Sequence, residues 1–283
     1  MTQVTVSVGS MLCMAIAGLL SFCIPVVLCI FFRKRKHADL VPFFIGMAVM
    51  CLFALVLESL VHQLVLNGPI GETILNNIWL YALYGGLMAG LFEETGRFIA
   101  FLTVLKRYRS RDVNALMYGA GHGGFEAAAL LGGTMISNLV LAFMINSGLT
   151  SVLTSTVPQA SMAQLEAVFE ALKTTQPVMF FISLIERVIA VPIQIALSVI
   201  VWFAAKEKGK RYLYPVAILL HFLVDAILTV AAKYISSLWI VYAILIAEAV
   251  SVILFALLVW KRNHREEPAE APAEEHGYED QTV

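Results

Sequence analysis

Residues 6–36 read VSVGSMLCMAIAGLLSFCIPVVLCIFFRKRK, an uncharged apolar run that ends in four consecutive basic residues. An apolar run of this length is sufficient to cross the roughly 30 Å hydrocarbon core of a bilayer as a helix. Basic residues directly after such a run are typical of its cytoplasmic end. The stretch therefore predicts a membrane-spanning helix that begins outside the cell. We interpret it as a retained anchor, because its positive charges follow the apolar run and do not precede it.

The same pattern recurs along the 283-residue chain, in which 60% of residues are hydrophobic and 14% are charged. Ordinary soluble domains are roughly 45–50% apolar and 25% charged, so this composition excludes that class and argues against a nucleic-acid partner. The sequence predicts an all-α, polytopic integral membrane protein with about seven spans. These lie at about Val6–Phe32, Leu40–Leu66, Asn77–Leu105, Val113–Ser147, Val178–Ala205, Tyr212–Tyr234 and Ser237–Trp260.

Charge is distributed unevenly around the predicted spans. Fifteen of the 19 Lys and Arg residues fall in four clusters, at residues 33–36, 106–111, 206–211 and 261–265, after spans one, three, five and seven. The positive-inside rule then places the N-terminus outside and the C-terminus in the cytoplasm. Residues 266–283 carry seven acidic residues and no Lys or Arg, which predicts a disordered acidic cytoplasmic tail after a transmembrane domain at residues 1–265.

The longest predicted external loop, residues 149–177, contains a capping-box spacing between Ser161 and Gln164, ahead of an amphipathic pattern. The pattern predicts a short helix at the membrane interface. It is either a lid over the outer side or a plain amphipathic surface helix, and the second interpretation is favoured.

Ionisable side chains within the spans are the most informative feature, because such groups are costly in hydrocarbon and usually functional. Glu94, His122 and His221 lie 12, 11 and 10 residues from the nearest basic residue at the cytoplasmic ends of their spans. A rise of about 1.5 Å per residue places all three at roughly 15–18 Å of depth, near the bilayer midplane. Three different helices therefore offer a reactive group at one level.

Local spacing predicts a partner for each histidine. Glu126 follows His122, and Asp225 follows His221, by four residues, which places each pair on one helix face. In each pair the carboxylate is expected to fix the tautomer of the imidazole.

Glu93 and Glu94 are adjacent and so lie about 100° apart around their helix. We expect one of them to face a cavity while the other pairs with Arg97. Glu186 and Arg187, in the outer half of the fifth span, are interpreted as a structural ion pair.

Such a cluster suits hydrolysis of a peptide bond in a wet cavity. A glutamate next to a second carboxylate suits a general base, and His122 and His221 can donate hydrogen bonds to the developing oxyanion. Alternatively, Glu94, His122 and His221 form a plausible ligand set for Zn²⁺, whose bound water would be the nucleophile. Both alternatives stay open at this point, and no other cofactor is expected.

Three segments carry a family resemblance: FEETGRF at residues 92–98, YGAGHGGFEA at 118–127 and HFLVD at 221–225. They resemble the three motifs of the CAAX-protease and bacteriocin-processing superfamily of intramembrane proteases. The amino-acid sequences of the first two segments are most similar to those of the YhfC family of membrane peptidases, and PrsW is a related family. The resemblance covers about residues 40–235 and implies a CAAX-protease-like helical core.

The resemblance also implies roles for individual residues. Glu93 or Glu94 would activate water, while His122 and His221 would bind the oxyanion or the water. Supporting positions are implied for Tyr118, which precedes His122 by four residues, for Arg97, and for Asp225, which stands where the superfamily usually has Asn. That superfamily commonly places its arginine one residue further from the glutamates than Arg97 lies here.

The sequence thus predicts an intramembrane endopeptidase of a bacterial plasma membrane that acts on membrane-embedded or lipidated peptides. Its midplane cavity is expected to open toward the cytoplasm. Two alternatives from other classes use the same buried cluster, namely a proton-coupled transporter and a non-enzymatic membrane protein that binds a partner.

Overall fold

The computed structural model describes residues 5–155 and 157–264, and every regular element in this range is a helix. The predicted acidic tail, residues 266–283, lies outside the described residues. The first half contains α1 (Val8–Lys36), α2 (Leu40–Val49), α3 (Ser59–Leu66), α4 (Gly71–Leu75), α5 (Ile78–Leu102) and α6 (Val113–Ala127). The second half contains α7 (Gly133–Asn146), α8 (Thr150–Thr154), α9 (Met162–Thr174), α10 (Val178–Lys206), α11 (Leu213–Tyr234) and α12 (Leu238–Asn263).

Six helical segments of the described chain are long and apolar enough to span a membrane. They are Val8–Lys36, Leu40–Leu66, Val113–Asn146, Val178–Lys206, Lys208–Tyr234 and Leu238–Asn263. The second and third are continuous because π-helical stretches join α2 to α3 and α6 to α7. The all-α polytopic fold is confirmed. The remaining predicted span corresponds to α5, whose 25 residues include three charged side chains, so the count of seven spans stays a prediction. The orientation of the helices in the membrane also stays a prediction.

The described residues of all four basic clusters lie at one end of the helix bundle. Arg111 contacts Asp39, with 3.3 Å between Nη1 and Oδ1, which joins the loop before α6 to the loop after α1. The buried Asp112 accepts a hydrogen bond from Lys206 at 2.6 Å, and its other oxygen lies 3.0 Å from Nδ1 of His264. These contacts bring the ends of α1, α10 and α12 together around the start of α6. We call this end of the molecule the basic end.

α10 is the central helix of the main core. Its second half is almost completely buried and packs against α5, α6, α11 and α12. Trp202 is fully buried, meets the Phe101 ring edge-on at 5.0 Å between centroids, and donates its indole N–H to Asp112. α10 therefore holds the helices that carry the predicted site residues in fixed relative positions.

The predicted interfacial helix is present as α9, at the end of the bundle away from the basic end. Phe169 and Leu172 of α9 belong to one buried apolar cluster with Met14 of α1 and Met135 of α7, and α9 packs against α7. The capping-box prediction is wrong, because the Ser161 side chain accepts no hydrogen bond from the helix start. No residue of α9 lines either of the two cavities described below, so α9 forms no wall of them.

Candidate active site

Four helices bring five polar side chains together in the interior of the described chain. Glu93 and Glu94 lie on α5, His122 on α6, Gln194 on α10 and His221 on α11. All five are buried, with at most 6% of each residue exposed. Glu94, His122 and His221, which the sequence predicts at one depth, therefore lie close together in the structure.

The two glutamates face different surroundings. Glu93 lines a cavity of about 260 Å³, which we call the inner cavity. Glu94 is fully buried on the α11 side of the helix. There its Oε1 accepts hydrogen bonds from Arg97 and from Nδ1 of His221, the latter at 2.7 Å. Glu94 therefore binds Arg97 and His221, while Glu93 borders space that water or substrate can enter.

The carboxylate of Glu93 is held by one of its two oxygens. Oε2 lies 2.9 Å from Nε2 of His122 and accepts hydrogen bonds from Arg97 and Gln194, both at 3.1 Å. No described residue donates a hydrogen bond to Oε1, which lies 4.0 Å from Nε2 of His221. One oxygen thus fixes the orientation of the side chain and leaves the other available.

Arg97 compensates for much of the buried negative charge. Its guanidinium is fully buried and contacts both glutamates as well as the amide oxygen of Gln194. A buried ion pair is tolerated only when its remaining donors and acceptors are also satisfied, and Arg97 meets most of that requirement here. One cation facing two carboxylates still leaves an excess negative charge next to the inner cavity.

Glycines set the position of His122 by allowing α2 and α6 to touch. A Cβ atom on Gly46 of α2 would lie 2.3 Å from the carbonyl oxygen of Tyr118, and one on Gly121 would lie 2.0 Å from that of Phe43. Both distances are far below any real contact, so only glycine fits at this crossing. Small residues permit the same close approach between membrane helices generally.

Tyr118 packs directly behind His122. Its ring contacts Phe101 edge-on at 4.5 Å and lies 5.9 Å from the imidazole of His122, both measured between centroids. The Tyr118 hydroxyl and Nδ1 of His122 are both buried, and neither has a hydrogen-bond partner among the described residues. In the structure Tyr118 therefore supports the imidazole by packing.

On the other side of the site, His221 is held between two carboxylates. Nδ1 donates to Glu94, while Nε2 lies 3.5 Å from Oδ2 of Asp225. The i+4 pairing with Asp225 is thus present as a close approach. In the neutral tautomer that donates from Nδ1, the lone pair of Nε2 faces oxygens of Glu93 and Asp225. Three such acceptors repel one another unless a proton or a cation lies among them.

The pairing predicted for Glu126 is wrong. Oε2 of Glu126 accepts from Gln194 at 2.5 Å, and Oε1 accepts from Arg187 at 3.0 Å. Arg187 also contacts Glu186, so the predicted ion pair exists but extends to a third residue. α10 packs against the face of α6 that carries Glu126, which draws this carboxylate away from His122.

Gln194 is the site residue that sequence reasoning missed. It lies between Glu93, Glu126 and Arg97 and makes hydrogen bonds to all three. Gln194 is uncharged, so it is not among the ionisable groups by which the sequence marks the site. The available signal was an amide in an otherwise apolar run shortly after Pro192.

The direction in which the inner cavity extends also differs from the expectation. Its walls include Glu186, Arg187 and Ala190 from the first half of α10, and Asp225 and Leu228 from the second half of α11. Both halves lie away from the basic end. The cavity therefore extends toward the opposite end of the bundle, and the prediction of an opening on the cytoplasmic side is wrong if that side is the basic end. Positive charge reports only topology, which explains the error.

The donor set fits a zinc ion in chemistry. Two imidazoles, of His122 and His221, and two carboxylates, of Glu93 and Asp225, lie close together, and Zn²⁺ prefers such nitrogen and oxygen ligands. Glu93, His221 and Asp225 line the inner cavity, whereas His122 is fully buried next to Glu93 and does not line it. The mutual repulsion of acceptors around Nε2 of His221 is what a bound cation would relieve. Among residues 5–155 and 157–264, no three His, Cys, Asp or Glu side chains have the spacing of a metal site, so binding requires these side chains to move.

Glu94 does not belong to that donor set in the structure. Its contacts with Arg97 and with Nδ1 of His221 turn it away from the inner cavity. A carboxylate that accepts from the far nitrogen of a metal-binding histidine is a common outer partner, because it fixes the tautomer and orientation of the ring.

Comparison with known proteins places these residues in a family context. The family model of YhfC intramembrane metalloproteases matches residues 20–257, a region that contains every residue of the site. A relative from Bacillus subtilis (strain 168), described as "Uncharacterized membrane protein YhfC", is 37% identical over 220 residues, which cover 76% of this chain and 83% of the relative. No solved structure matches the chain.

Proposed function

Since the chain belongs to the family of YhfC intramembrane metalloproteases, we propose that it hydrolyses peptide bonds of membrane-associated peptides, with Glu93 activating the attacking water. One observation carries this proposal: the Glu93 carboxylate lies between Nε2 of His122 and Nε2 of His221, at the wall of a cavity inside the helix bundle. The relative from Bacillus subtilis supports a bacterial plasma membrane as the location.

Glu93 is oriented as a general base requires. Its Oε2 is fixed by three donors, and its Oε1 receives no hydrogen bond from the described residues. A water in the inner cavity can therefore donate to Oε1 and pass its proton there as it attacks a carbonyl carbon. A positioned base of this kind typically contributes a factor of about 10²–10⁴ to the rate.

We assign the electron-rich side of the reaction to His221, protonated on both nitrogens so that Nε2 can donate into the cavity, while His122 uses Nε2 to orient Glu93. As the water attacks, the carbonyl oxygen of the scissile bond becomes negatively charged, and donors placed in advance stabilise it. His221 is held by Glu94 and Asp225, and His122 by Glu93 and by the packing of Tyr118, so neither ring needs to reorient during the reaction. The proton taken up by Glu93 is then delivered to the leaving amine.

In the alternative mechanism with zinc, Glu93, His122, His221 and Asp225 are the residues that would hold the ion, and Glu93 would then be a ligand and not the base. When bound, Zn²⁺ would make its water more acidic and polarise the scissile carbonyl. Glu94, in turn bound by Arg97, keeps Nδ1 of His221 protonated and Nε2 directed toward the other ligands.

The test is cleavage of an apolar membrane peptide by the purified protein in lipid nanodiscs, followed by mass spectrometry of the fragments. We expect the wild type to produce two fragments and Glu93→Gln to produce none above background. Glu248→Gln is the matched control, because Glu248 is another glutamate on a predicted span, on α12, and makes no hydrogen bond to the site. Equal cleavage by wild type and Glu93→Gln would overturn the proposal, as would pH-driven solute uptake without cleavage.

A further inference from the structure

The inner cavity adjoins a second and larger cavity of about 420 Å³, which we call the entry cavity. The two share wall residues on three helices: Glu186 on α10, Asp225 and Leu228 on α11, and Leu245 on α12. The volume of the entry cavity lies in the range of about 300–1,000 Å³ that is typical of ligand sites. The cavity beside the proposed base therefore adjoins a space large enough for several side chains.

The walls of the entry cavity show where it leads. Except for Glu186, its lining residues come from Asp225 to Ala232 on α11 and from Leu238 to Leu245 on α12. α11 begins and α12 ends at the basic end, so these segments lie in the opposite half of the bundle. The entry cavity thus lies between two helices, away from the basic clusters.

α11 and α12 are loosely joined along this line. α11 packs mainly against α5, while α12 packs mainly against α10 and makes fewer contacts with α11. The close contact of α11 with α5 is visible at Gly86, where a Cβ atom would lie 2.7 Å from the carbonyl oxygen of Phe222. Parting α11 from α12 would break fewer contacts than parting α11 from α5 or α12 from α10, and we call the line between α11 and α12 the seam.

The side chains that line the entry cavity favour an apolar ligand. Leu228, Ala232, Leu238, Val241 and Leu245 give the entry cavity a mostly apolar surface, and its acidic groups lie toward the inner cavity. An apolar peptide segment that arrives from the bilayer can exchange lipid contacts for these walls at little cost. A polar, water-soluble peptide cannot do so, because its backbone and side chains would lose hydrogen bonds to water.

We propose that the substrate is an apolar peptide segment that enters from the bilayer through the seam between α11 and α12, in the half of the molecule away from the basic end. Its apolar side chains occupy the entry cavity, and the bond to be cut reaches the inner cavity next to Glu93. This inference rests on the proposed function for the cleavage step but concerns binding and entry, which are measurable without cleavage.

The experiment fills the entry cavity in the folded protein. In a variant with the four native cysteines replaced by serine, Thr229→Cys places a thiol in the cavity wall, and a benzyl methanethiosulfonate reagent adds a bulky group that a reductant removes. Ile227→Cys is the matched control, two residues away on the same helix, at a residue that is 44% exposed and not part of the cavity. The probe is a fluorescent apolar peptide of about 20 residues, and a serine-rich peptide of equal length serves as its polar counterpart.

Binding is measured with Glu93→Gln added, so that turnover plays no part, and cleavage is measured with Glu93 intact. We expect benzylation at position 229 to weaken binding of the apolar peptide at least tenfold, reversibly, with no effect at position 227 and no binding of the polar peptide. Cleavage that persists after benzylation at 229 overturns the inference and leaves the proposed function standing. Binding that is lost on benzylation, in a protein that never cleaves, supports the inference and refutes the function. Binding that is unchanged at both positions also overturns the inference.

Discussion

Nδ1 of His221 lies 2.7 Å from Oε1 of Glu94, and the same oxygen accepts from Arg97. This contact indicates different roles for the two adjacent glutamates of α5. Glu94 and Arg97 hold the α11 side of the site, and Glu93 borders the inner cavity. Glu93 and Glu94 are adjacent in the sequence, but they lie on two faces of α5 and make different contacts.

Replacing each glutamate by glutamine should give effects of different size. We expect Glu93→Gln to lower the rate of peptide cleavage by about 10²–10⁴, because the base is lost. Glu94→Gln should lower it by only about 10–100-fold, because the amide oxygen still accepts from His221 and only the outer support is weakened. Initial rates at saturating peptide measure both, and a larger loss for Glu94→Gln would reverse the assignment.

Removing Arg97 should lower the free energy of unfolding, because its guanidinium contacts both buried glutamates. Arg97→Met leaves two buried carboxylates without their cation, which typically costs about 3–5 kcal/mol of unfolding free energy. Adding Glu94→Gln to this variant should recover part of that loss, since one of the two charges is removed. Titration with SDS in mixed micelles measures the unfolding free energy. Arg107→Met, at an exposed arginine, is the control and should change it by less than about 0.5 kcal/mol.

The depth of the site follows from the sequence because the bilayer fixes helix length. Residue counts from the basic clusters place Glu94, His122 and His221 at one level, and the structure joins Glu94 to His221 directly. The roles of the site residues stay predictions, but their positions along the helices could be obtained by counting.

The spacing of the glycines on α5 indicates which face of this helix meets α11. Gly86 and Gly90 face backbone atoms of α11, and Glu94 follows them at the same four-residue spacing. The three therefore share the face that meets α11, and Glu93 lies about 100° away. The partners of Glu126 could not be found in this way, because a contact with Gln194 and Arg187 depends on the lateral order of α6 and α10, which no periodicity encodes.

Metal binding should depend on the candidate ligands around Glu93 and not on histidines elsewhere in the bundle. Under the mechanism with zinc, we expect the purified protein to retain about one zinc per chain, measured by plasma mass spectrometry, and His221→Ala and Asp225→Asn to retain much less. His62→Ala is the control, because His62 contacts Glu58 and Tyr84 and none of the four candidate ligands. A wild type that cleaves peptide without zinc, and in the presence of a chelator, would establish a metal-free glutamate mechanism.

The packing of α5 against α11 offers the sharpest comparison, because neighbouring glycines differ in surroundings. A Cβ atom on Gly86 would lie 2.7 Å from the carbonyl oxygen of Phe222, next to His221, whereas one on Gly85 would meet nothing within 4 Å. Gly86→Ala must push α11 away from α5, which should cost about 1–3 kcal/mol and lengthen the contact between His221 and Glu94.

Gly85→Ala should be neutral or stabilising by up to about 1 kcal/mol, because alanine favours the helix and fits the free space. Unfolding free energy and cleavage rate are measured for both variants. We expect Gly86→Ala to lose activity beyond what its fraction of folded protein explains, because the displaced helix carries His221. Equal effects of the two substitutions would show that the contact between α5 and α11 does not set the geometry of the site.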